Sequence, residues 1–209
     1  VSEPLVWIDC EMTGLDPASD VLVEIAVIVT DSELTPLDPG LDIVIAADQA
    51  KLDGMDEVVR EMHTSSGLLE AIGAATTTVE QAEDQVLDYI KRFVPDRRKA
   101  PLCGNSIATD RSFIAAYMSR LDDHLHYRMI DVSTIKELAR RWYPRAYYNA
   151  PAKNGGHRAL ADILESIDEL RYYRSTVLVP SPGPDTDTSR AAAASLRTEE
   201  PSTPPVPPG

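Results

Sequence analysis

The stretch Leu5-Val6-Trp7-Ile8-Asp9-Cys10-Glu11-Met12-Thr13-Gly14 opens on an apolar run of strand length and then sets two acids two residues apart. Alternate residues of a strand project from the same face. Asp9 and Glu11 therefore leave the chain together, while Cys10 points the opposite way into the core. Two like charges buried side by side are costly unless a cation lies between them. At an open strand end the same pair would be ordinary solvated acids.

Two further runs follow, Val21–Thr30, interrupted by Glu24, and Leu41–Ala46. Both are rich in Val, Ile and Leu. Turn signals separate the three runs: Gly14 and Asp16-Pro17, then Pro36 and Asp38-Pro39-Gly40. This pattern predicts three successive strands. Val79, Ala82, Val86, Ile90 and Phe93 then recur at three- and four-residue steps and predict a helix. A short strand is expected near Leu102–Gly104, and a helix opening at Thr109 as N-cap buries Phe113, Ile114, Tyr117 and Leu121. Tyr127–Val132 reads as another strand, and Ser133/Thr134 cap a helix running through Trp142. The last helix follows Gly155-Gly156, with Leu160, Ile163, Leu164, Ile167 and Leu170 on one face. The order is that of an α/β domain with a mixed sheet whose first three strands form an antiparallel meander.

That domain is expected to span residues 1–179. Residues 180–209 are rich in Pro, Ser, Thr and Ala and lack the apolar periodicity that offsets ordering entropy, so they read as a disordered tail. No apolar run approaches the roughly 20 residues of a membrane helix, and no basic segment precedes Leu5 as in a secretory signal. Cys10 and Cys103 fall inside predicted strands, which suits buried thiols in a reducing cytoplasm.

Formal net charge is −14, which weighs against binding a long polyanion. Carboxylates that hold divalent cations are neutralised in a working site, however. The segment Lys136–Arg158 also carries six Lys/Arg against one Glu. An acidic body with one basic flank suits a short nucleic-acid substrate better than a long one.

Three further residues complete a constellation. Asp162 lies in Gly155-Gly156-His157-Arg158-Ala159-Leu160-Ala161-Asp162, on the helix face opposite Leu160 and Leu164. His157, behind two glycines at a helix start, has an ordinary pKa near 6.5 that lets it take a proton at neutral pH. Asp110 stands in the first turn of its helix, where the macrodipole favours an acid. Taken singly, each has a bland reading as a surface or first-turn residue. Four hard-oxygen carboxylates suit Mg²⁺ or Mn²⁺ rather than zinc.

Together these residues resemble the DEDD exonuclease superfamily in its histidine-bearing branch. Asp9-Cys10-Glu11 matches the first motif, Asn105 through Asp110 and Phe113 the second, and His157 through Asp162 the third. Over about residues 5–178 the chain is more specifically similar to the oligoribonuclease family. The strings that carry this are Trp7-Ile8-Asp9, Glu11-Met12-Thr13-Gly14-Leu15-Asp16, Cys103-Gly104-Asn105-Ser106, His126-Tyr127-Arg128, Asp131-Val132-Ser133-Thr134 and Lys136-Glu137-Leu138-Ala139-Arg140-Arg141-Trp142.

The resemblance implies an RNase H-like fold, with parallel strands beside the meander and helices on its flanks. It implies a 3′-to-5′ exoribonuclease, acting in the cytoplasm as a homodimer, that degrades short RNA down to dinucleotides. Two divalent ions, Mg²⁺ or Mn²⁺, are expected on Asp9, Glu11, Asp110 and Asp162. One would activate water, with His157 taking its proton, and the other would stabilise the departing 3′ oxygen to leave a 5′-nucleoside monophosphate. Asn105 enters the expected substrate contacts with the second motif. Leu15 would wedge against the bases, Ser106, Arg128, Ser133 and Thr134 would cap the 5′ phosphate, Tyr127 would join the cap from a neighbouring subunit, and His63 would touch the substrate. One departure stands out. Members of the family carry Trp near position 58 or 59, where this chain has Met55-Asp56-Glu57-Val58-Val59, so a base-stacking contribution of roughly 1–3 kcal/mol is missing there. Two other readings compete, an exonuclease acting on longer nucleic acid and a metal- or nucleotide-binding module without turnover.

Overall fold

The computed structural model describes residues 3–152 and 156–198. Five strands form one sheet: β1 (Leu5–Met12), β2 (Leu22–Thr30), β3 (Leu41–Val44), β4 (Pro101–Gly104) and β5 (His126–Asp131). Their spatial order is β3-β2-β1-β4-β5. The first three strands pair antiparallel as the expected meander, whereas β4 lies parallel to β1 and β5 parallel to β4. The mixed α/β sheet predicted from the sequence is therefore the fold.

Ten helices accompany it among the described residues: α1 (Gln49–Asp53), α2 (Glu57–Ser65), α3 (Leu68–Ala74), α4 (Val79–Lys91), α5 (Ala108–Tyr117), α6 (Ser119–His124), α7 (Val132–Trp142), α8 (Pro144–Tyr148), α9 (Ala159–Thr176) and α10 (Thr186–Thr198). The sequence pattern foretold α4, α5, α7 and α9. It missed α1 to α3, which span five to nine residues each and are too short to establish a period.

The strand alternation builds two cores. Val6, Ile8 and Cys10 of β1 pack with Ile25, Val27 and Val29 of β2 against α4, α5 and α6. Trp7, Ala26 and Ile28 face the other way, against Val132 of α7 and Ala159, Ile163 and Ile167 of α9. Each Val or Ile among them gains about 1.5–3 kcal/mol by full burial. Asp9 and Glu11 share the face of Trp7, so α9 is the helix that must cover them.

Several local expectations are revised. Asp131, rather than Ser133 or Thr134, caps α7, and its carboxylate accepts the Ser133 amide. Helix α5 begins at Ala108, one residue before the expected cap at Thr109. Leu164 is 45% exposed and stands off the buried stripe of α9. That stripe runs through Ala159, Ile163, Ser166, Ile167, Glu169 and Tyr173. Asp162 lies beside it, half-buried, not opposite the core. The 3.6-residue period carries Asp162 and Ser166 to the same side one turn apart, and Ser166 Oγ donates to the Asp162 carbonyl. Cys10 and Cys103 are buried and unpaired.

Within the expected tail, α10 forms over an alanine run with high helix propensity, and residues 184–196 are exposed throughout. The remainder of the tail, 199–209, lies outside the described residues, as does Gly155 of the expected glycine pair. Among the described residues no helix is long and apolar enough to cross a membrane.

Candidate active site

The site forms at the carboxyl end of β1. Carboxylate oxygens of Asp9, Glu11 and Asp162 all lie within 4.8 Å of one another. Oxygens around one ion at the usual 2.0–2.6 Å stand up to about 4–5 Å apart, so this trio fits a divalent cation. Asp110 sits behind it, buried on α5, with Oδ1 accepting the Cys10 amide at 2.9 Å.

Gly104 makes that approach possible. A Cβ there would meet Ile107 Cδ1 at 2.8 Å and the Ile8 carbonyl oxygen at 3.2 Å. Without a side chain at position 104, the start of α5 closes onto β1 and carries Asp110 to Cys10.

The electrostatics agree with a cation-seeking site. Asp9 is pushed up to about 9, first by burial and then by Asp110, Glu11 and Asp162. Glu11 rises to about 8, first by burial and then by Asp162, Glu24 and Asp110, with the Arg158 guanidinium opposing. Burial lifts Asp110 to about 7 against the backbone N–H groups that favour its charged form. Burial first, and for Asp9 and Glu11 the neighbouring carboxylates second, favour the protonated forms of these acids in the absence of a cation.

The structure also shows residues that the motif reading missed. Glu24 lies directly across the ladder from Glu11 and is fully buried. Its carboxylate accepts Arg158 Nε at 2.8 Å and the Ala159 amide at 3.0 Å. The apolar run broken at Glu24 was the available signal for it. His157, just before Arg158, is exposed with φ 46°, the left-handed region that a histidine rarely adopts. Among the described residues it makes no hydrogen bond to the acids.

Other expected substrate residues separate into groups. Ser106 and Ser133 are brought together, their hydroxyls 3.2 Å apart, and Asp131 Oδ1 accepts both of their amides. Thr134 is exposed beside them at the start of α7. Leu15 is 77% exposed at the tip of a braced loop. There Asp20 accepts the Thr13 hydroxyl and the Asp16 amide, and Tyr117 Oη donates to the Asp20 carbonyl at 2.7 Å.

Asn105 does not face open space. It donates to Ser166 Oγ and Glu169 Oε2 and accepts from Ser133 Oγ, so it ties β4 to α7 and α9. His63 is likewise not at the surface. It is fully buried, with Nε2 donating to the Met12 carbonyl at 2.8 Å and Nδ1 3.9 Å from Glu11 Oε2. It meets Glu11 from behind, because α2 packs its ring inward. Tyr127 and Arg128 are exposed on the edge strand β5. There Arg128 Nε donates to the Tyr127 hydroxyl at 3.1 Å, and the arginine lines a groove with Glu3, Lys99 and His126. It does not reach Ser106 or Ser133 within this chain.

Comparison with known proteins supplies the family. The exonuclease family model of RNase T type matches residues 6–170. The oligoribonuclease of Leifsonia xyli subsp. xyli is 62% identical over 195 residues, covering 93% of this chain and 94% of that protein. That of Streptomyces griseus is 58% identical over 196 residues, covering 94% and 97%. Among solved structures, Escherichia coli exonuclease I in complex with a dA16 oligonucleotide superposes with a TM-score of 0.62 at 14% identity. The match covers 84% of this chain and 41% of that one, so this chain spans about two fifths of the exonuclease I chain. That likeness is one of fold, the RNase H-like arrangement of mixed sheet and flanking helices. With the acid cluster, the family match and this level of identity over nearly the whole length, the chain belongs to the oligoribonuclease family of exonucleases.

Proposed function

We propose that this protein is a 3′-to-5′ exoribonuclease that hydrolyses short oligoribonucleotides, down to dinucleotides, to 5′-nucleoside monophosphates. The observation that carries the reading is the convergence of Asp9, Glu11 and Asp162 within 4.8 Å at the end of β1, beside the paired hydroxyls of Ser106 and Ser133.

Asp9, Glu11 and Asp162, with Asp110 behind them, would hold two divalent cations, Mg²⁺ or Mn²⁺, which would supply charge stabilisation to the attacking and departing oxygens. His157 is the base that takes the proton from water. Its exposure lets it pass that proton to solvent after each turnover, and its neighbour Arg158 is fixed to β2. Ser106 and Ser133 offer hydroxyls to a terminal phosphate, with Thr134 beside them. Asp131 holds both serine backbones, so the pair is set before substrate arrives. Leu15, on its braced loop, supplies an apolar face for a base.

The reading extends to a homodimer in the cytoplasm. It is supported by the exposed apolar and aromatic side chains of Tyr127, Met129, Trp142 and Tyr143, and by the edge-strand position of Arg128, which donates to the Tyr127 hydroxyl rather than to the serine pair. A second copy is what would bring Tyr127 and Arg128 into a phosphate cap.

The test uses 5′-labelled RNA of two, three, five and ten nucleotides with Mg²⁺ or Mn²⁺. Fastest cleavage of the dinucleotide supports the proposal. Equal rates at all lengths would replace it with a general exonuclease, and tight binding without cleavage with a binding module.

A further inference from the structure

Helix α9 starts without a side-chain cap of its own. Arg158 occupies the N-cap position, and its side chain makes no cap hydrogen bond. The first amide of the helix, that of Ala159, is instead taken by Glu24 Oε2 from the first third of β2, at 3.0 Å. Glu24 Oε1 accepts Arg158 Nε at 2.8 Å and also lies 2.7 Å from a terminal guanidinium nitrogen of the same residue. That terminal nitrogen also faces Asp42 Oδ2 at 3.7 Å.

A fully buried carboxylate opposite Glu11 is a poor choice for stability. Moving an ion out of water is costly, and a hydrophobic pair of similar volume is often as stable or more so. What this pair provides is a defined position. One end is a central strand in register with Glu11, and the other is the first turn of the helix that carries Asp162. His157 is the residue immediately before the anchor. We propose, building on the function proposed above, that Glu24 and Arg158 are positioning residues that clamp the start of α9 and so set Asp162 and His157 against Asp9 and Glu11. They touch neither substrate nor the reacting atoms.

The experiment uses the full chain in three forms: wild type, Arg158→Lys, and the double variant Glu24→Leu/Arg158→Met. Thermal melting without metal, Mn²⁺ affinity by calorimetry, and kcat and KM on a dinucleotide are measured for each. The double variant is expected to melt at or above the wild-type temperature. It should nonetheless bind Mn²⁺ and turn over about 10–100-fold less well, the usual loss when a ligand's support is removed, with KM within about twofold. Arg158→Lys keeps the charge but not the fork, and should fall about 5–10-fold in Mn²⁺ affinity while still folding.

A double variant that is stable and matches wild type in Mn²⁺ affinity and kcat overturns the proposal. Should the double variant not fold, unchanged Mn²⁺ affinity in Arg158→Lys overturns it equally. Wild-type protein that neither binds Mn²⁺ nor cleaves the dinucleotide would instead overturn the functional reading on which this one stands.

Discussion

Loading the acid cluster with a divalent cation should expel protons, and the structure sets how many. In the metal-free protein Asp9 stands at about 9, Glu11 at about 8 and Asp110 at about 7, with burial the first cause in each case. At pH 7 the first is almost wholly protonated, the second about nine-tenths and the third about half. A cation that requires carboxylates would therefore displace roughly two protons from the cluster as a unit. The same shifts fix a sign for stability. Each group binds its proton more tightly in the folded chain than in the unfolded one. The contribution is fully present below about pH 4, declines as pH rises above that and is gone once pH has passed about 7 to 9, so the metal-free protein becomes progressively less stable from about pH 4 upward. Bound metal opposes this loss, and its stabilising effect should grow with pH. Mn²⁺ titrated calorimetrically in two buffers of different ionisation enthalpy reads the proton count directly. About two protons released at pH 7, falling towards none at pH 9.5, is the expected result. Heats independent of buffer at pH 7 would refute the argument, because the acids would then already be ionised without metal.

Asp162→Ala should abolish turnover and Mn²⁺ binding together. His157→Ala should lower kcat by about 10²–10⁴-fold while Mn²⁺ affinity stays within about twofold; parallel loss of both quantities in the histidine variant would count against its role as base. Leu15→Ala removes about 1–2 kcal/mol of apolar contact with a base, so KM for a dinucleotide should rise roughly 5–30-fold with kcat nearly unchanged. An unaltered KM would show that Leu15 is only a loop tip. Gly104→Ala forces Ile107 and the Ile8 carbonyl apart; a loss of about 1–3 kcal/mol in denaturant unfolding is expected, together with weaker Mn²⁺ binding as Asp110 is pushed from Cys10.

The amino-acid sequence alone was enough for the sheet and its meander, and for singling out the acids that gather at the end of β1. Period-two alternation makes Asp9 and Glu11 emerge together and Cys10 turn away, and no distant contact is needed for that to hold. The three motifs keep the acids in recognisable local strings. Other assignments depended on what lies across the fold. His63 and Asn105 look like substrate contacts when read along the chain, yet each faces inward. Their roles are decided by Glu11 and Met12 for the first, and by Ser133, Ser166 and Glu169 for the second. A helix phased on Leu160 and Leu164 turns Asp162 outward, but the tertiary packing leaves Leu164 exposed and Asp162 half-buried. Glu24 appeared only as an interruption in an apolar run. A strand pattern records that a charge is present, but its partner, Arg158, is 134 residues away. Local sequence can specify which face a side chain leaves by, because that follows from backbone geometry. What waits on that face, and so whether a buried charge is neutralised, is decided only when α9 packs onto β2.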